Sequence, residues 1–263
     1  MRVVVVAVLA VASLARGASS PSADPFSYAV FGLADVSLAG GVGVGAGDVG
    51  VNLGSLTLGP RAHVAGVVAA DEITAAGKSR AGGFFCNVID GRSGAACDPV
   101  TVPLVSSSTL TLVQVLPGAI SIDVGRDGPL APLDPGDYGS VHVQSRAKLV
   151  LAGGTEPYNI RDLRIGPRGR LVCATSCRIA VRDDVVVAGG VHVEGTQGAA
   201  VRIDVGGGSG GAAFRAGPRA RVTAVVYAPS GAIVLSGGGR YTGAFVGHSV
   251  RVGPRATVRT PAS

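Results

Sequence analysis

The chain has no tryptophan, one methionine and only 4% aromatic residues among 263. An interior of this size therefore cannot be organised around large rings. The 47% apolar content is carried mainly by Val, Ala, Leu and Ile, which points to small side chains stacked in regular layers. From residue 138 onward no ten-residue stretch holds an uninterrupted 3.6-residue apolar stripe, which argues against helices there. Beyond the first residues no apolar run approaches the length of a membrane span, so no transmembrane segment is expected in the mature chain. Lysine is scarce, 2 against 21 arginines.

Residues 1–20, "MRVVVVAVLAVASLARGASS", read as a signal peptide. Arg2 gives the positive start, and the apolar run from Val3 to Ala15 is too short to anchor the chain. Cleavage is expected after Ala15 or Gly17, placing the protein in the periplasm or outside the cell. The four cysteines fit an oxidising compartment. Cys86 and Cys97 flank a Gly-rich stretch, Cys173 and Cys177 flank "ATS", and pairing within each set is the expected connectivity. A four-thiolate zinc site is the rival arrangement, but its pairs would have tighter spacings than these.

Net charge is +6, unevenly distributed: residues 141–263 carry +10 and residues 1–140 carry −4. A basic half attracts anionic polymers. A biased Arg-rich composition scattered over the solvated surface would give the same totals.

From residue 138 onward, apolar pulses of three to six residues are separated by Gly, Pro or Ser, a pattern of short strands. One phrase recurs four times: "LGPRAHV" at 58–64, "IGPRGRL" at 165–171, "AGPRARV" at 216–222 and "VGPRATV" at 252–258. Gly is expected to take backbone angles that other residues resist, and Pro to fix φ, so the phrase ends a strand and leaves Arg in solvent. The starts differ by 107, 51 and 36 residues, near six, three and two steps of ~17–18, the length of a short solenoid coil. The expected fold is all-β, a parallel β-helix or solenoid, with a β-sandwich as the alternative. The expected organisation is a signal peptide (1–20), an N-terminal all-β part (21–115), a Pro/Gly/Asp-rich connector (116–137) and a C-terminal solenoid part (138–263). "ADEITAAGKSR" at 70–80 is the best candidate for a short helix.

"LDPGDYGSVHVQSRAKLVLAGG" and "VYAPSGAIVLSGGGRYTGAFVGHSVRVGPRATV" resemble a repetitive β-module of bacterial secreted, surface and pilus-associated proteins. "FSYAVFGLADVSLAGGVGVGAGDVGVN" is similar to the opening of choice-of-anchor A and ice-binding-like adhesion ectodomains. The resemblance covers roughly residues 26–70 and 133–259 and rests on Gly, Val and turns. It implies an extracellular β-solenoid with adhesive, assembly or scaffold duties and carries over no catalytic residues.

Formal matches to chemical motifs fail on context. Gly45 to Gly50 spells a dinucleotide fingerprint, but "VNLGSLTLGP" follows and supplies no helix for a pyrophosphate. Ser209 sits in a nucleophile-elbow pattern with no acid after it. Asp123, Asp127, Asp134 and Asp137 crowd one loop, where Asp serves turns as well as metals. His63, His142, His192 and His248 lack carboxylates at ligand spacing. Asp183 and Asp184, amid Arg178, Arg182 and Arg202, would serve one lyase site only from a turn. Long threonine arrays of an ice-binding face are missing. The expected protein is a non-enzymatic structural, adhesive or assembly module of the cell surface without a cofactor. A carbohydrate-active β-helix enzyme is the alternative, and a basic module for acidic glycans a third reading. Expected partners are an anionic surface polysaccharide or lipopolysaccharide and a second copy of the chain, but not nucleic acid. The candidate anion-binding residues are Arg168, Arg219 and Arg255, which recur at one place in the turn phrase.

Overall fold

The computed structural model describes residues 20–91, 96–126, 131–207 and 211–260. The expected signal peptide, Asp127 and Ser209 fall outside them, Ser20 apart. All registered strand pairs among the described residues are parallel, and they wind a β-solenoid of about 11 turns. No α-helix occurs among them. The β-sandwich alternative is thereby excluded, since a sandwich is built from antiparallel sheets.

Each full coil presents three faces. In the third coil, residues 158–160 form the first face, 163–165 the second, and Arg170–Cys173 the third. The side chains that point inward stack in columns, as alternation requires. On the second face Leu163, Val185, Phe214, Ile233, Val250, Val36, Leu56 and Ile73 follow one another in register, each no more than 1% exposed. Val222, Val252 and Val258 are likewise buried.

The coils do not stack in chain order. The lowest strand is Ile122–Val124, and the chain climbs from there to the seventh coil, Phe245–Val252 with Thr257–Arg259. The eighth coil is the N-terminal strand Tyr28–Leu38 with Gly43–Ala46, laid directly on the seventh. Residues 48–91 continue upward from it. Residues 99–120 then return down the outside of the first face. This strap is held at the Val105 N–H, which donates to Asn52 Oδ1 (2.7 Å), and at the Thr111 carbonyl, which accepts from Tyr227 Oη (2.8 Å). Gly139 N donates to Ile120 O near its lower end. Beneath the strap lies a second apolar cluster in which Phe31, Val105, Tyr227 and Val246 are buried.

The stretch at 116–137 contains Ile122–Val124, a strand of the solenoid. The expected helix at 70–80 is instead the strand Glu72–Ala75 followed by a turn. Alternation decides it: Ile73 and Ala75 point inward while Glu72 and Thr74 point out.

Both cysteine pairs are disulfides, Cys86–Cys97 and Cys173–Cys177, with Cα atoms 5.4 Å and 6.0 Å apart. The first joins the top coil to Cys97, just ahead of the strap. The second joins the end of the third coil to the start of the fourth.

Candidate anion-binding corner

The turn between the second and third faces recurs in nine consecutive coils, from the second to the tenth. Its third residue has a positive φ in every one. Gly-Pro-Arg fills the turn in the third, fifth, seventh and ninth coils, with Arg168, Arg219, Arg255 and Arg61 at φ 57–60°. The coils between them carry Gly190, Gly238 and Gly41 in the same position, at φ 67–71°. Arg146 and Lys78 occupy it at the lower and upper ends.

This corrects the expected role of the phrase. The left-handed residue is the arginine, and the glycine before the proline has another reason. A Cβ on Gly59, Gly217 or Gly253 would lie 2.5–2.6 Å from the backbone nitrogen of the coil below, and on Gly166 2.8 Å from it. The glycine thus permits close stacking of corner on corner. The predicted step also fails: the 51 residues between the phrases at 165 and 216 hold two coils rather than three. The 107-residue interval crosses from the ninth coil over the top and back to the third.

Peptide groups tie the corner together. From the second coil to the ninth the third residue's N–H donates to the second residue's carbonyl one coil higher, for example Arg168 to Gly189 (3.1 Å), Gly190 to Pro218 (2.9 Å) and Gly238 to Pro254 (3.0 Å). The ladder crosses the junction between chain ends unbroken, since Arg255 N donates to Gly40 O (3.3 Å) and Gly41 N to Pro60 O (2.9 Å). Stacked strands lie about 4.8 Å apart, so arginines two coils apart recur about every 9.6 Å along the axis.

The three arginines named from the sequence therefore share one edge, and the structure adds to them. Arg61 belongs to the same row although it lies in the acidic half of the sequence. Its signal was legible, because it holds the same place in "LGPRAHV". Arg215 and Arg251 flank the corner on the second face, and Arg170 and Arg221 on the third. All of these arginines are exposed, and among the described residues none forms an ion pair within 4.0 Å. Unpaired like charges along one edge sum their fields over the surface.

The carboxylates considered for lyase chemistry do not converge. Asp183 accepts from Arg182 (2.9 Å), a hydrogen bond that holds its carboxyl below the usual range. Asp184 faces Arg164 instead, at 3.8 Å. Asp123 lies 3.8 Å from His142. No group of three His, Cys, Asp or Glu side chains among the described residues could hold a metal ion. Sequence reasoning missed Asp204, which is 1% exposed and accepts from Arg178 (2.7 Å) and Arg202 (2.8 Å) beside the strap. Alternation in "VRIDV" places it outward, and the strap that covers it leaves no local trace.

Fold and corner together define a disulfide-braced parallel β-solenoid with a basic edge. Residues 158–260, the third to seventh coils, match the family model described as "Domain of unknown function (DUF7305)". No curated protein and no solved structure matches the chain.

Proposed function

We propose that the chain is an exported structural or adhesive module of the cell surface that holds an acidic glycan along its basic corner. One observation carries this reading: four arginines, Arg168, Arg219, Arg255 and Arg61, recur on a single edge, and among the described residues none has an acidic partner within 4.0 Å. A flexible loop would lose entropy on binding, whereas these guanidiniums stand on a hydrogen-bonded ladder already in place. One exposed arginine contributes little, since salt screens charges beyond about 8–10 Å. A long polyanion engages several at once and gains by multivalency. The two disulfides are compatible with export, and no helix among the described residues is long and apolar enough to cross a membrane. The resemblance of residues 26–70 and 133–259 to bacterial surface modules agrees with this placement.

The test is binding to alginate, heparin and lipopolysaccharide at about 50 mM and about 500 mM salt, because contact-driven affinity falls steeply with ionic strength. Binding at low salt that is lost when Arg168, Arg219 and Arg255 all become Ser supports the reading. No binding at low salt, or binding unchanged in the triple variant, defeats it.

A further inference from the structure

Arginine and glycine alternate strictly along the corner from the third coil to the ninth, and φ alone does not account for the alternation. Arginine adopts the left-handed conformation in four of these coils, so glycine is not needed for φ in the other three. Avoidance of like charge does not explain it either. Arg146 and Arg168 sit in adjacent coils at one end, as do Arg61 and Lys78 at the other. What glycine does provide is a gap between two guanidiniums.

Of two grooves on the surface, the first is such a gap and the second lies beside the corner. One, of about 410 Å³, is floored by Gly40 and Gly41 and walled by Pro254–Arg255 below and Pro60–Arg61 above. The other, of about 370 Å³, lies on the second face over Val234, between Arg215 and Arg251. The arginine stems form the lower walls of the corner gaps. The Cγ atoms of Arg168, Arg219 and Arg255 lie 3.6–3.8 Å from where a Cβ on Gly190, Gly238 or Gly41 would stand.

We infer that these notches are subsites for a linear acidic polysaccharide that runs along the coil axis and carries its charge on every second sugar. The inference rests on the glycan-binding reading above and names the repeat that it fits. Arginines two coils apart recur about every 9.6 Å, and a disaccharide of equatorially linked pyranoses has about that length. Each carboxylate then meets a guanidinium fork in the bidentate geometry that arginine favours. The sugar between two charges lies in the notch, its ring against glycine backbone and the proline rings. Four corner arginines accommodate four repeats, so affinity should rise with chain length to about that size and then level off.

The experiment compares, at about 150 mM salt, hyaluronan fragments, with a uronate on alternate sugars, and polygalacturonate fragments of equal sugar number, with one on each. A variant carrying Gly190→Asn, Gly238→Asn and Gly41→Asn fills the notches without changing charge, and asparagine tolerates the left-handed conformation. Hyaluronan is expected to bind at least as tightly as polygalacturonate despite half the charge, and the asparagine variant to lose roughly tenfold in affinity for it. If polygalacturonate binds the parent tighter than hyaluronan, or if the folded asparagine variant binds hyaluronan like the parent, the notch proposal is overturned while glycan binding stands. If neither glycan binds the parent even at low salt, both are overturned. The comparison on the parent protein decides even if the variant does not fold.

Discussion

Replacing Gly253 by alanine places a Cβ 2.5 Å from the Gly237 nitrogen, 3.0 Å from the Ser236 carbonyl carbon and 3.2 Å from Gly237 Cα. All three are backbone atoms of the coil below, so no side chain can swing aside. Relief requires the seventh coil to lift at its corner. That movement stretches two hydrogen bonds, Gly253 N to Leu235 O (2.7 Å) and Gly238 N to Pro254 O (3.0 Å). Overpacking of this kind costs about 1–3 kcal/mol, and each weakened bond adds up to about 1 kcal/mol. A loss near 3 kcal/mol corresponds to a fall of roughly 6–12 °C in melting temperature for a chain of this size. Gly41→Ala is the control. Its φ is +71°, but its nearest neighbour is the Arg255 Cγ at 3.8 Å, so only the left-handed penalty of about 1–2 kcal/mol applies. Thermal and urea unfolding followed by circular dichroism should rank Gly253→Ala well below Gly41→Ala. The reverse order, or a Gly253→Ala protein melting within about 2 °C of the parent, would refute the close-approach account of the phrase.

Asn52→Ala strands the Val105 N–H under the strap and should cost about 1–3 kcal/mol; an unchanged urea midpoint counts against the strap as a packed element. Non-reducing peptide mapping of the protein should recover Cys86–Cys97 and Cys173–Cys177, and free thiols or cross-pairs would contradict the structure. Burial, with Asp48 nearby, pushes the Tyr28 phenol from 10.0 up to about 12. The unfolded chain therefore ionises first, so stability is intact below pH 10 and is lost as pH rises from 10 toward 12. Tyr28→Phe should soften that alkaline limb while forfeiting the hydrogen bond to the Ser22 carbonyl; an identical alkaline limb would mean that Tyr28 does not report on folding.

The strands were legible because each needs only local alternation and a Gly or Pro stop, and the corner was legible because it reuses one phrase. Coil order was not. Every corner resembles every other, so nothing within "DVSLAGGV" marks its neighbour as "VRVGPRATV" rather than a segment nearer in sequence. The period failed for a physical reason as well. A solenoid fixes the strand columns but not the chain between them, and the fourth coil passes into the fifth through an excursion at 195–200. Charge totals misled in a similar way. They separated an acidic from a basic half, whereas stacking continues the basic corner into the acidic half through Arg61 and Lys78.

The junction between the seventh and eighth coils shows why the residues outside 158–260 are not appendages. A block cut at those limits would expose the backbone donors and acceptors of Tyr158–Ile165 below and of Phe245–Val252 above. Open parallel edges invite pairing with other chains. In this protein Gly136–Val143 covers the lower edge and Tyr28–Leu38 the upper one, the latter through seven registered residue pairs. The upper partner lies more than 200 residues away in sequence, so its pairing is paid for in loop closure, a cost that slows folding more than it weakens the product. The corner gains directly from that contact. Without the eighth coil the Arg255 N–H loses its acceptor on Gly40, and the groove between Arg255 and Arg61 loses its floor. The N-terminal strand is therefore at once the cap of the C-terminal coils and the floor of the notch next to Arg255.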